Sequence, residues 1–382
     1  MSEQITQAFA RARVRASPHY RLEPSQSAAA GSNPEQSVWA ASLLPAREDW
    51  RRAQLISRET AELLLALREP GPLPGAATPH DGARLVLDGI LELETAGGFC
   101  SGPEAYRRFF SGELPVVRGA LAELSLAALR CAAALAVPEP ELLSKCLYRY
   151  NTRPVSPAWL RRFPDAQAVA GLFQAARRGQ VESSWTTFLN LPAPGVSWRA
   201  WEQPDAPTPA PGAPTYKLYI SPAPASVGAA TRAVLALAGK SFAPFALKAG
   251  HDLPTLLRSE KLVVYFRARD DLFEAADRLR PALGGMAAQG VPFTSELFGD
   301  GLVSWGVDPG STAEPPGPLR QASWRRWITA RLGSAMAAAL AAGSTAPAWQ
   351  YAIDRVRLDG VTPETWTAPA WFAVPGTSDA DH

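Results

Sequence analysis

The stretch Tyr216-Lys217-Leu218-Tyr219-Ile220-Ser221-Pro222 decides how this chain is read. Leu218 and Ile220 alternate with Lys217 and Tyr219, the period of a strand with one face in a core, and Pro222 ends it. Outward from it, residues 227–238 have the apolar spacing of a helix, and 242–247 and 262–267 read as strands. Residues 270–283 place Leu272, Phe273, Ala276 and Leu279 on one helical side; 301–307 suit a strand and 323–342 a helix. Strand, helix, strand, strand, helix is an α+β order.

Upstream the texture differs. Seven prolines lie between Leu191 and Thr215, a composition that favours an extended linker or long loop. Before it, residues 37–190 read as a mainly helical region, with helices expected over 48–68, 119–137, 139–150 and 164–179. Residues 84–94 are apolar enough for either a helix or a strand. Residues 1–36, rich in Ser, Ala, Gln and Pro, read as a disordered arm. The expected plan is therefore arm, helical region, proline-rich linker at 191–215, and an α+β domain over 216–375.

Composition excludes several classes. The 382 residues are 47% hydrophobic and 19% charged, with a net charge of +2. That balance argues against a protein held to nucleic-acid backbone. No apolar run is long enough for a membrane span, and the polar N-terminus lacks a signal-peptide core, so a cytoplasmic protein is expected. Three cysteines (Cys100, Cys131, Cys146) suit neither a disulfide scaffold nor a thiolate zinc site, so no metal or cofactor is expected. P-loop, nucleophile-elbow and protein-kinase motifs are all absent.

Of the 38 basic residues only Lys145, Lys217, Lys240, Lys248 and Lys261 are lysine, and four of them fall between 217 and 261. Lysine, unlike arginine, can lose its proton when desolvated or crowded by cations. Lys217 and Tyr219 share a strand face, Lys248 closes the next strand with His251 three residues on, and Lys261, Arg267 and Arg269 flank a third. Converging, these cations would need an anion among them, and a phosphate fits best. Lying apart, Lys261, Arg267 and Arg269 would be solvated charges at a sheet edge.

The same stretch, with Phe245-Ala-Leu-Lys248, Lys261-Leu-Val-Val-Tyr265-Phe266, Gly290-Val-Pro-Phe-Thr294 and Asp300-Gly-Leu-Val-Ser-Trp305-Gly-Val-Asp308-Pro309, resembles the Hop-A class of type III effector domains of plant pathogens. Such domains also occur as lyase subunits of class V lanthipeptide synthetases. The resemblance covers roughly residues 145 to 370, including Tyr148-Arg149-Tyr150-Asn151-Thr152-Arg153-Pro154. A more distant similarity links Lys217-x-Tyr219 to the Lys-x-His strand of bacterial phosphothreonine lyases, with Tyr219 where that family has histidine.

The resemblance implies β-elimination of phosphate from phosphoserine or phosphothreonine in a ribosomally made precursor peptide, leaving dehydroalanine or dehydrobutyrine. Lys248 would be the base, and Tyr219 or His251 the acid. Lys217, Lys261, Arg267 and Arg269 would hold phosphate, with Thr294, Trp305 and Asp308 as peptide contacts. No cofactor or metal is implied. A separate Ser/Thr kinase subunit and a cyclase are the expected partners, and the helical region would bind the leader peptide or the kinase. The other readings are a non-catalytic effector-like interaction protein and a phosphopeptide-binding module.

Overall fold

The computed structural model describes residues 2–10, 12–24, 39–45, 54–113, 116–177, 186–187, 198–202, 213–237, 246–250, 252–309 and 323–373. They form an α+β fold with a seven-stranded sheet and two three-stranded sheets. No described helix is long and apolar enough to cross a membrane.

The N-terminal residues depart from the expected arm. Helix α1 (Ser2–Ala10) buries Ile5 and Phe9, four residues apart on one face, and Phe9 stacks on Phe109 at 5.5 Å. Strands β1 (Val14–Ala16) and β2 (Tyr20–Pro24) follow; residues 1, 11 and 25–36 of the expected arm lie outside the described residues. One apolar pair in nine residues is too weak a pattern to separate a docked helix from a disordered one.

The region read as helical also holds sheet. Strand β3 (Trp39–Pro45) pairs with β2 on one side and with β4 (Gln54–Ser57) on the other, in the order β2-β3-β4. The helix expected over 48–68 therefore begins late, as α2 (Arg58–Ala66). The Ser57 hydroxyl caps it by accepting the Thr60 N–H at 3.2 Å. The ambiguous stretch 84–94 is both elements at once. Helix α3 (Pro79–Leu87) stops at Asp88-Gly89, where Gly89 takes φ +74°, and β5 (Leu91–Thr95) then pairs with β1 and with β6 (Gly98–Cys100). Helices α4 (Gly102–Phe109), α5 (Ala120–Ala134), α6 (Pro140–Arg149), α7 (Pro157–Arg162) and α8 (Ala166–Arg177) complete this half.

The C-terminal half builds the large sheet from β7 (Thr186–Thr187), β8 (Trp198–Glu202), β9 (Thr215–Ile220), β10 (Ala246–Gly250), β11 (Leu262–Phe266), β12 (Ser295–Glu296) and β13 (Val303–Asp308). All neighbours are antiparallel, in the order β12-β13-β9-β11-β10-β8-β7. The expected linker thus contains a strand: β8 pairs with β10, while 191–197 and 203–212 lie outside the described residues. Helices α9 (Val227–Leu237), α10 (Leu253–Leu256) and α11 (Arg269–Leu283) accompany this sheet.

Helices α12 (Trp324–Ala341) and α13 (Ala348–Arg357) return to the N-terminal half. Arg355 on α13 grips Asp88 at the end of α3 with two 2.6 Å bonds. Helix α12 crosses α6 so closely that a Cβ at Gly333 would lie 2.8 Å from both the Pro140 carbonyl oxygen and the Ser144 nitrogen. Only glycine permits that approach, and the crossing brings Arg325 on α12 beside Tyr148 on α6, with the Arg325 guanidinium 4.6 Å from the ring centre.

Gly333→Val should therefore destabilise the protein by about 3 kcal/mol, the upper end for overpacking against backbone that cannot move. Gly171 on α8 has nothing within 4 Å of its would-be Cβ. Gly171→Ala should stabilise by roughly 0.5–1 kcal/mol through helix propensity alone. Urea-unfolding midpoints of the two variants should move in opposite directions.

Candidate functional site: a cation-rich sheet face

Strand register sorts the large sheet into two unlike faces. Leu218, Ile220, Leu247, Ala249, Leu262, Val264, Phe266, Val303 and Val307 belong to the main apolar core. The other face carries Ser304, Tyr219, Val263, Lys248 and Ala200 in one row and Gly306, Lys217, Tyr265 and Ala246 in the next. Lys217 and Lys248 therefore share a face, two strands apart and offset by one row. Strand spacing and rise put their Cα atoms about 12 Å apart, so two extended lysines can reach one small anion.

Each lysine is held by a carboxylate and an aromatic ring. Lys217 is buried, pairs with Asp308 and lies 5.1 Å from the centre of the Tyr265 ring. Asp308 turns its other oxygen to the Trp324 N–H at 2.8 Å, capping α12. Lys248 reaches Glu260 Oε1 at 3.4 Å and sits 4.0 Å from the centre of the Trp198 ring. Its side chain is 26% exposed, so this end of the face opens to solvent. Burial lowers the Lys248 pKa below 10.5, with Lys217 and Arg258 adding to the effect and Glu260 opposing it.

Glu260 is the hub. Its Oε2 accepts from Arg325 Nη1 at 2.9 Å and from the Tyr148 hydroxyl at 3.4 Å, leaving Oε1 for Lys248. Burial alone would raise its pKa, but Lys248, Arg325, Arg258 and Lys217 together hold it well below the usual carboxylate range. Arg325 is fully engaged, since it also donates to the Tyr148 carbonyl at 2.8 Å and to the Pro292 carbonyl at 3.3 Å. Arg258 lies 5.5 Å from the ring centres of both Tyr148 and Trp198. Lys217, Lys248, Arg258 and Arg325 against Glu260 and Asp308 leave a surplus of two positive charges with Lys248 protonated and of one with it neutral, a balance that favours an anion.

Tyr219 lies buried two residues along β9 from Lys217 and in the row of Lys248, packed on Val263 and Val291. Burial, with the charges of Glu260 and Asp308, pushes its pKa well above 10, so the phenol keeps its proton.

Several of the sequence-based site residues lie elsewhere. Lys261 is 1% exposed and donates to Gln289 Oε1 at 2.6 Å, which makes it a core strut rather than a phosphate clamp. Burial, helped by Arg153, brings its pKa down to about 7. Arg269 opens α11 on the opposite face, 5.3 Å from the Phe273 ring centre and 5.8 Å from that of Trp305. Trp305 itself packs edge-on against Phe273 there, so neither belongs to the polar face. Arg267 follows β11 and, by alternation, falls one row beyond Lys217, at the Thr215–Asp308 end. Thr294 is buried on the same side, donating to the Val291 carbonyl oxygen at 2.6 Å and lying 2.8 Å from Ser304 Oγ, and braces the face. His251 lies outside the described residues.

No family model matches this chain, and no curated protein matches it. Among solved structures it is similar to an effector protein from Pseudomonas syringae pv. tomato strain DC3000, at 12% identity and TM-score 0.42, over 64% of this chain and 97% of that one. An effector protein from Pseudomonas syringae pv. syringae strain 61 aligns at 12% identity and TM-score 0.40, over 65% and 98%. At that level the likeness says nothing about activity.

The buried Lys261 has a consequence for stability. Its folded pKa of about 7 lies below the 10.5 of an unfolded lysine. Between those values the unfolded chain binds a proton that the folded chain does not, so this group makes stability rise with pH across the window. Unfolding free energies measured from pH 7 to 10 should climb more steeply for the wild type than for Lys261→Met; parallel curves would show that Lys261 titrates normally.

Proposed function

We propose that the cation-rich face binds the phosphate of a phosphoserine or phosphothreonine peptide and eliminates it, with Lys248 as the base. The observation that carries this reading is the placement of Lys248. It is a partly accessible lysine with a lowered pKa, on the same face as Lys217 and a protonated tyrosine, amid a surplus of positive charge.

Elimination must break a weakly acidic Cα–H bond and a Cβ–O bond. The neutral amine of Lys248 takes the Cα proton and becomes an ammonium. The released electron pair forms the Cα=Cβ double bond, and the Cβ–O pair leaves with the phosphate. Lys217 and Arg258 supply fixed positive charge to the leaving group. Tyr219, protonated because it is buried, donates a hydrogen bond toward that oxygen in place of a histidine. The product is a dehydroalanine or dehydrobutyrine peptide and inorganic phosphate, and every step uses this chain's own side chains. A separate kinase would supply the phosphopeptide and a cyclase would consume the product by thiol addition, in the manner of lanthipeptide biosynthesis. The N-terminal half would receive the leader peptide or the kinase.

Incubation with a phosphothreonine peptide should release phosphate and leave a peptide lighter by one phosphoric acid in mass spectrometry. The rate should rise with pH along a limb that ends below pH 10.5, because only the unprotonated amine accepts the proton and burial lowers its pKa. Lys248→Arg should abolish elimination while keeping phosphopeptide affinity; Tyr219→Phe should lose roughly 10²-fold in rate. A phosphopeptide that binds the wild type tightly but stays intact would replace this reading with a phosphopeptide-binding module.

A further inference from the structure

We propose that Glu260 is the positioning residue of this site: its buried carboxylate holds Lys248 Nζ and aims the amine along the face toward Lys217. The assignment to catalysis rests on the lyase reading; the contact itself does not. The division of labour between its two oxygens motivates it. Oε2 is taken by Arg325 and Tyr148, from α12 and α6, which fix the carboxylate to the scaffold. Oε1 faces Lys248. A carboxylate buried for stability alone would not need to turn one oxygen to Lys248, the most exposed of the three cations that form ion pairs on this face among the described residues.

A free lysine side chain spreads over many rotamers, whereas a base must sit within hydrogen-bond reach of the proton it removes. The Trp198 ring, 4.0 Å from Nζ, confines the chain on one side, and Glu260 fixes its tip. A neutral amine that donates one N–H to Glu260 has its lone pair directed away from the carboxylate, toward the open part of the face. Once the proton arrives, the same carboxylate stabilises the ammonium, which adds driving force to the transfer.

The groups around Lys248 make the consequence specific. Arg258, from the segment after α10, and Lys217, on β9, favour its neutral form, and Glu260 favours the charged one. Asp308 on β13 is paired with Lys217, and Arg325 on α12 with Glu260. Tyr219, Tyr265 and Tyr148, from β9, β11 and α6, are held protonated by burial. Among these groups Glu260 is the one carboxylate paired with Lys248, so removing its charge should let Lys248 lose its proton at lower pH.

Competitive acetylation with acetic anhydride as a function of pH, read by mass spectrometry on the peptide carrying Lys248, reports the neutral amine without any substrate. In Glu260→Gln, Lys248 should label about tenfold faster at neutral pH than in the wild type, the effect of a pKa lower by about one. Labelling of exposed Lys145 should be equal in both proteins. With phosphopeptide, Glu260→Gln should lose roughly 10²-fold in kcat with little change in KM, and the rising limb of its pH profile should move to lower pH. If Glu260→Gln does not fold, Glu260→Asp keeps the charge but withdraws it from Nζ, and its labelling should rise in the same direction by a smaller factor. Unchanged labelling of Lys248 overturns the proposal whatever the activity. A wild type that labels as described yet eliminates nothing overturns the lyase reading and leaves the contact standing.

Discussion

Burying the Glu260 carboxylate would cost several kcal/mol were it not met by Arg325, and that buried pair is the constraint on which the polar face depends. Arg325 arrives 65 residues later in the chain, on a helix positioned by its glycine crossing with α6 and by the Asp308 cap at its N-terminus. The same guanidinium ties down the Tyr148 and Pro292 carbonyls. Breaking the pair would strand a charge in the interior and release three segments at once, so the network is valuable for the geometry it imposes more than for net stability.

Charge on this face is organised in two tiers. The inner tier, Arg325 with Glu260, is satisfied within the protein and shaped by tyrosine and tryptophan rings. The outer tier, Lys217, Lys248 and Arg258, keeps positive charge beyond what Asp308 and the remaining capacity of Glu260 neutralise. Like charges at such spacing repel, and that repulsion works with burial to keep the Lys248 amine easy to deprotonate. On the proposed reading, one arrangement would serve both requirements of an elimination: net positive charge that attracts a phosphate and an amine that can act as a base.

Much of the sheet was legible in the sequence because alternation is a local signal. Lys217-x-Tyr219 reads directly as one face of a strand, and the helices after it follow from 3.6-residue spacing. The hub was not legible. Ser259-Glu260-Lys261 looks like a charged turn, and nothing local indicates that Glu260 meets a distant arginine while Lys261 turns into the core toward Gln289. Arg269 and Trp305 were misplaced for a similar reason. Both lie near the right strands in sequence, but one residue of parity puts Trp305 on the Leu218 face, and Arg269 lies past the end of β11, where α11 has begun. Trp198 was hidden by the prolines around it, and α1 by the brevity of its apolar pattern.

The central claim is that the bond broken at this face is the Cα–H of a phosphorylated residue. A phosphothreonine peptide deuterated at Cα tests it most directly. The account predicts slower phosphate release from the deuterated peptide than from the protiated one, and a dehydrobutyrine product that has lost the deuterium. Phosphate release at equal rates, leaving threonine with its deuterium in place, would mean hydrolysis at phosphorus and would contradict the role given to Lys248.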